Sequence, residues 1–203
     1  MSRFAFARYT FNIKKKRAQI IIFTLCYLRT LWYKLVLSEN NVERIGGKVL
    51  QPVQYAGRGI IRLCHVHIGV WPSPNLLNGV TYIEARSVDA SVEIDEGTQI
   101  NNGATIIADK TNIKIGKRCL IGANFFVCDS DFHGIALKDR RNGNYKCMPV
   151  LIGNDVFIGE GVKILKGVSV GDGAVIGTGA VVASDVESNC VYAGVPAKKI
   201  KLL

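Results

Sequence analysis

From Ile152 the chain parses into six-residue units: IGNDVF, IGEGVK, ILKGVS, VGDGAV, IGTGAV and VASDVE. Each opens on a large aliphatic residue (Ile152, Ile158, Ile164, Val170, Ile176, Val182), and a smaller apolar residue recurs at the fifth place (Val156, Val162, Val168, Ala174, Ala180). Two earlier tracts keep the period. One runs through Val88, Ile94, Ile100 and Ile106, the other through Ile115, Ile121 and Val127, with Val92, Thr98, Ala104 and Cys119 at fifth places. A period of six is neither the 3.6 of a helix nor the 2 of a strand. A short strand and a turn, repeated three times per coil, satisfies it, and stacked coils then bury the aliphatic rows in a narrow column. Glycine at 21 of 203 residues with only 5 prolines fits many tight turns better than disorder. The expected fold class is therefore all-β, a parallel β-helix over 41–203, with clear repeats at 80–190 and a tail at 191–203. Over 38–80 the phase is lost, although QPVQYAG and IIRLCHVHIGV alternate like strands.

The N-terminal segment is of another kind. The net charge is +10, and residues 1–37 hold eight bases (Arg3, Arg8, Lys14, Lys15, Lys16, Arg17, Arg29, Lys34) and no acid. NIKKKRAQIIIFTLCYLRTLWYKLVL predicts an α-helical segment within 1–40. Its uninterrupted apolar part falls short of the roughly 20 residues that a bilayer requires. It suits packing on the main domain, or peripheral contact of residues 1–37 with an anionic membrane surface. The basic cluster has no interleaved aromatics and no nucleic-acid motif appears elsewhere, so no nucleic-acid partner is expected. Cysteines at 26, 64, 119, 128, 147 and 190 form no C-x-x-C pair, and no secretory signal is visible. They read as free thiols of a reducing, cytoplasmic setting, with the protein peripheral at the inner face of the cell membrane.

CDSDFHG (128–134) breaks the period. The third tract would place Asp131 and His133 inward, where a carboxylate and an imidazole are costly. The chain is thus expected to leave the coil, with 134–149 as a loop carrying an Asn-Gly turn signal and Pro149 at the re-entry. His133 could simply cap that loop. Imidazole also titrates near neutrality, which suits a general base. Asp131, two residues away on the same side of an extended chain, could fix its tautomer, with Asp129 the next candidate. Cys128 is the nearest thiol, but no nucleophile is placed beside the base. His65 and His67 have the spacing of strand-borne metal ligands. A solvated strand edge accounts for them as well, and no metal is expected.

DFHG, the polar loop and PVLIGNDVFIG together resemble the hexapeptide-repeat acyltransferases, of the sugar or polysaccharide O-acetyltransferase type similar to the galactoside and maltose acetyltransferases. The resemblance is strong over 80–203. It implies a left-handed coil, against the usual right-handed crossover, and a homotrimer with active sites between subunits. It also implies acetyl-CoA as donor and His133 as base. Donor contacts carried across fall on Phe157 (where the family has Trp), Glu160, Thr178, and Ala183 and Ser184 (in place of a Thr-Lys pair). AGVPAKKIK matches the family's closing element, which sets Lys198, Lys199 and Lys201 near CoA phosphates. INNGATIIAD resembles the sugar-binding stretch, with Asn101 and Asp109 suited to holding hydroxyls. The implied function is acetyl transfer to a sugar hydroxyl of a glycan or polysaccharide precursor. The basic N-terminal segment favours a membrane-proximal acceptor. A xenobiotic acetyltransferase and a non-catalytic β-helix scaffold are the alternatives. The three histidines do not match the zinc ligands of the hexapeptide-repeat carbonic anhydrases, and the N-terminal part is too short for the helical domain of serine acetyltransferase.

Overall fold

The structure, a computed structural model, describes the backbone of residues 3–203 and the side chains from residue 14 onward. Arg3 and Arg8 of the basic tract thus lie outside the described side chains. The six-residue period becomes three flat walls of parallel strands. Wall 1 stacks Glu43–Ile45, Ile60–Cys64, Ser91–Ile94, Asn112–Ile115, Val150–Ile152 and Ser169–Val170. Wall 2 stacks Lys48–Val49, His67–Ile68, Gln99–Ile100, Leu120–Ile121, Phe157–Ile158, Val175–Ile176 and Cys190–Ala193. Lys198–Leu202 folds back antiparallel on the last of these. Wall 3 stacks Val53–Ala56, Thr81–Ala85, Thr105–Ala108, Phe126–Cys128, Lys163–Ile164 and Val181–Val182.

The leading aliphatics form in-register columns. Ile68, Ile100, Ile121, Ile158 and Ile176 pair strand on strand in wall 2, as do Ile83, Ile106, Val127, Ile164 and Val182 in wall 3. All are buried, together with the small fifth-place residues. Each such isoleucine contributes about 1.5–3 kcal/mol by leaving water. The fourth place of most units turns the corner in the left-handed region: Gly161, Gly167, Gly173 and Gly179 have φ of 68°, 76°, 67° and 71°. Only Gly, or with less ease Asn and Asp, adopts that conformation cheaply, hence the repeated Gly at this place. Val88 departs from the expected pattern. It stands 63% exposed at a corner, and Val92 and Ile94 supply that coil's inward residues.

The coil starts at Glu43, well before the clear repeats. The phase is lost there because residues 69–80 swell one corner between walls 2 and 3. Buried Asn102 holds that insertion, accepting from the Val70 N–H (3.1 Å) and donating to the carbonyls of Val70 (3.1 Å) and Pro74 (2.7 Å). Gln51 Nε2 donates to Asn75 O (2.9 Å) from the coil below.

Helix α1 spans Arg3–Trp32 and runs into a π-turn at Tyr33–Leu37. Its Arg29 donates to the carbonyls of Leu76, Leu77 and Gly79 of the insertion, and Cys26 is buried beneath it. Ile20, Ile21, Tyr27, Leu28, Trp32 and Leu35 are exposed. The uninterrupted apolar part is short, as expected, yet Lys14–Leu37 is 24 residues long and contains an 18-residue stretch apolar enough to cross a membrane by length and composition.

Candidate functional site

The excursion begins earlier than the period implied. Strand pairing stops at Cys128 in wall 3 and resumes at Val150 in wall 1. Asp129 roots it. This carboxylate is fully buried and accepts from the N–H groups of Asp109 (2.6 Å), Lys110 (3.1 Å) and Thr111 (2.7 Å) and from the Thr111 hydroxyl (2.8 Å). Four donors compensate the burial of its charge. The two ends of the excursion then pair as a neck: Met148 N–H donates to Asp129 O (2.8 Å) and Asp131 N–H to Lys146 O (3.1 Å).

Above the neck the chain turns sharply. Phe132 N–H donates to Ser130 Oγ (2.9 Å), His133 N–H donates to Asp131 O (2.7 Å), and Phe132 sits at φ 59°. The turn delivers an exposed imidazole. Its Nδ1 lies 3.2 Å from the Arg140 carbonyl across the loop. A carbonyl oxygen can only accept, so Nδ1 carries the proton and the neutral ring keeps its lone pair on Nε2, outward.

Asp131 is elsewhere than expected. Its Oδ1 pairs with Lys166 Nζ at 2.7 Å, and both line a cavity of about 640 Å³ beneath the loop together with Gly134, Tyr145 and Met148. The assumption of an extended chain fails at Phe132, whose left-handed φ removes the alternation that would have set Asp131 beside His133. Asp129 does not orient the ring either, being occupied at the root.

Asp109 is buried, and both its oxygens are engaged within the chain. Ser130 Oγ donates to Oδ2 (2.9 Å), and Arg86 Nη1 stands 3.5 Å from Oδ1. Asp109 also holds the Tyr145 phenol above its ordinary pKa through a hydrogen bond, opposed by Lys110, whose Nζ lies 3.9 Å over that ring. Arg86 in turn grips Glu84 through Nε (2.8 Å) and Nη2 (3.1 Å) and covers the Phe132 ring at 5.1 Å. This Glu84–Arg86–Asp109 cluster under the Phe132–His133 turn was missed. Its signal was a Glu-x-Arg pair at the end of a strand, unremarkable without the fold. Burial pushes the Cys128 and Cys147 thiols up, which disfavours their nucleophilic thiolates.

The remaining residues fall on a different edge. Asn101, whose Oδ1 accepts from Asn102 N–H (2.7 Å), and Phe157, 50% exposed, line a small cavity on wall 2 with Leu120 and Gly122. Glu160 and Thr178 follow at successive corners between walls 2 and 3, both exposed. Lys198, Lys199 and Lys201 lie on the terminal strand beside wall 2. Lys199 pairs with Glu187 (2.6 Å), while Lys198 and Lys201 have no such partner among the described residues. Ala183 and Ser184 sit instead on the corner between walls 3 and 1, the edge that carries His133. The expected site residues therefore fall on two edges separated by the breadth of wall 3, and one chain does not bring them together. His67 stands exposed on wall 2 and His65 occupies a corner at φ 47°. Among the described residues no three metal-ligating side chains converge.

Family patterns match two stretches: "bacterial transferase hexapeptide (six repeats)" over residues 149–184 and "hexapeptide repeat of succinyl-transferase" over 112–140. No curated protein matches the chain. Among solved structures it is similar to the polysialic acid O-acetyltransferase OatWY, at 28% identity and TM-score 0.62, covering 80% of this chain and 75% of that one. It is also similar to the polySia-specific acetyltransferase NeuO, at 26% and 0.54, covering 81% and 79%. An N-acyltransferase from Bacillus cereus, AntD, shares the fold at 21% identity and TM-score 0.62, covering 78% and 82%. With the repeat geometry and the three walls, the chain carries hexapeptide-repeat transferase patterns and has the left-handed parallel β-helix fold of the hexapeptide-repeat acyltransferases.

Proposed function

We propose that this protein transfers an acetyl group from acetyl-CoA to a sugar hydroxyl of a glycan, with His133 as general base. The observation that carries the reading is the ring itself: it is exposed on a rooted loop, and the Arg140 carbonyl fixes Nδ1–H and leaves Nε2 free. Acetyl-CoA supplies a thioester, an electrophilic carbonyl with a thiolate leaving group. Phe157, Glu160, Thr178 and the unpaired Lys198 and Lys201 would hold it along wall 2 and its edge, with Lys199, Ala183 and Ser184 as further contacts. His133 Nε2 takes the proton of the acceptor hydroxyl as its oxygen forms the new ester bond, and returns that proton to the departing sulfur. The buried cluster around Asp109 supports the loop from below, and Asn101 faces the acceptor from the wall 2 edge. The two polysialic acid O-acetyltransferases among the similar structures support a polymeric sugar acceptor.

Two half-sites on opposite edges of wall 3 point to a homotrimer in which one copy's His133 edge faces the next copy's wall 2 edge. The exposed apolar helix and its Lys14–Arg17 tract support peripheral attachment to a membrane, and six free thiols support its cytoplasmic face. The test is thiol release from acetyl-CoA with polysialic acid and neutral oligosaccharides as acceptors. His133→Ala should lose about 10²- to 10⁴-fold in turnover. Turnover that ignores this substitution would refute the assignment, and no turnover with any acceptor would favour a scaffold.

A further inference from the structure

A cavity of about 660 Å³ opens at the foot of the β-helix, where the Tyr33–Leu37 turn hands over to the first coil. Among the described residues Lys34 and Arg44 are its only ionised lining residues, and Ser38, Asn40, Asn41 and Tyr55 supply neutral polar groups. The acids nearby in sequence are engaged elsewhere. Glu39 Oε1 accepts from Gly57 N–H (3.3 Å), and Glu43 pairs with Arg62 (2.7 Å). Arg44 donates from Nε to Gly46 O (3.0 Å) and from Nη2 to Gly47 O (2.8 Å), which fixes the guanidinium at the cavity wall with its charge uncompensated. Neither Arg44 nor Lys34 has a carboxylate within 4.0 Å among the described residues.

Beside this cationic cavity runs the apolar skin of α1 and of the turn that follows it, with Leu28 and Trp32 exposed on the helix and Leu35 and Val36 on the turn. The helix is long enough to span a bilayer but is not free to do so. Arg29 is tied to the 76–79 carbonyls, Gln54 Nε2 donates to Leu37 O (3.3 Å), and Tyr55 N–H donates to Ser38 Oγ (3.0 Å). Between the charged Lys14–Arg17 tract and that first tether the apolar part of the helix rises only about 18 Å at ~1.5 Å per residue, against a hydrocarbon core of about 30 Å. It therefore fits in the plane of the interface, with Lys14–Arg17 at one end and the cavity at the other.

We propose that this cavity binds the phosphate of an anionic phospholipid headgroup while the exposed side of α1 lies among the acyl chains. Charge complementarity and continuity with the apolar helix select a lipid over a soluble anion. The inference rests on the membrane attachment proposed above, and it is independent of the chemistry at His133.

The test is sedimentation of the full-length protein with phosphatidylcholine vesicles, with and without phosphatidylglycerol, at low and high salt. Wild type should prefer the anionic vesicles, and part of that binding should survive high salt, because contact pairs are screened less than distant charges. Lys34→Ala/Arg44→Ala should weaken anionic-vesicle binding about 30-fold and abolish the salt-resistant part. Lys15→Ala/Lys16→Ala, with the same charge loss, should affect low-salt binding alone. Acetyl transfer to a soluble acceptor should be unchanged in the Lys34/Arg44 variant, so failure of the lipid site is told apart from failure of the catalytic reading. Should that variant not fold, Lys34→Gln on the exposed turn carries the same test with about a fivefold loss. Equal binding by wild type and the cavity variants, or equal binding to both kinds of vesicle, overturns the proposal. So does binding of soluble glycerol phosphate with no binding to vesicles.

Discussion

The chain passes from wall 3 to wall 1 in two ways. At 165–168 it does so in a short corner: Gly167 turns in the left-handed region, and Ile164 and Val168 on either side are buried. At 129–149 the same passage opens into an excursion whose root is a buried carboxylate bound by four donors from the coil beneath. The short corner is one copy of a repeated solution, so its stability is shared along the column. The excursion repeats nothing. Its neck, its turn at Phe132 and its His133–Arg140 bond occur once, and the proposed chemistry falls there. Walls should answer mutation in stability and the excursion in rate, and that partition can be attacked from both sides.

The largest expected effect is on rate. His133→Ala should cut acetyl transfer by about 10²- to 10⁴-fold while the melting temperature stays at the wild-type value, because the ring is exposed and bonds only a loop carbonyl. A lowered melting temperature that accounts for the lost activity would make His133 a loop staple. Next comes the converse. Ile115→Ala, in a wall 1 column between Ile94 and Ile152 and far from either half-site, should cost about 2–5 kcal/mol in chemical denaturation. The folded fraction should turn over normally; a fall in kcat per folded molecule would deny the partition.

The two regions also differ in how much of them could be read in advance. The aliphatic columns were legible because the geometry repeats: one wrong residue among many, Val88, leaves the period intact. The loss of phase over 38–80 has a definite cause in the 69–80 insertion, whose supports Gln51 and Asn102 are buried amides that look like ordinary polar corner residues. At the candidate site, His133 was legible as a loop histidine through its surroundings, but its hydrogen-bond partner was not. The partner is the main-chain carbonyl of Arg140, and no side chain at that position announces it. Asp131 was chosen by strand alternation, and a single left-handed residue, Phe132, cancels that alternation. Donor and acceptor residues were assigned without regard to edge, and only the stacking of the walls shows them divided between two.

Asp129 tests the seam between the regions. Asp129→Ala leaves the 109–111 N–H groups unpaired and should cost about 1–3 kcal/mol. Unlike the wall substitution, it should also lower kcat, since the neck that aims His133 starts at this residue. A stability loss with kcat unchanged would mean that the neck holds its shape without its root.

The smallest expected effect lies on the outside of the coil, at two successive corners. Arg118 and Asp155 occupy fourth places with φ of 55° and 56°, a conformation that Gly supplies at most other fourth places. They meet in a two-pronged pair, Nε to Oδ1 at 2.7 Å and Nη2 to Oδ2 at 2.6 Å. The hydrogen bond from Arg118, reinforced by its charge, holds the Asp155 carboxyl below its ordinary value of 3.8. A carboxyl depressed in the folded state stabilises above the unfolded value, and that contribution fades as pH falls through the folded one. The pair is solvent-exposed, so the gain is small and salt-sensitive. Asp155→Asn keeps a residue that tolerates the left-handed turn and removes only the charge. Its melting temperature should sit slightly below wild type at pH 6 in low salt, and the two curves should converge as pH drops below about 4. A gap that persists at pH 3 would show that Asp155 acts through the turn conformation and not through Arg118, which would make this corner one more copy of the wall's repeated geometry.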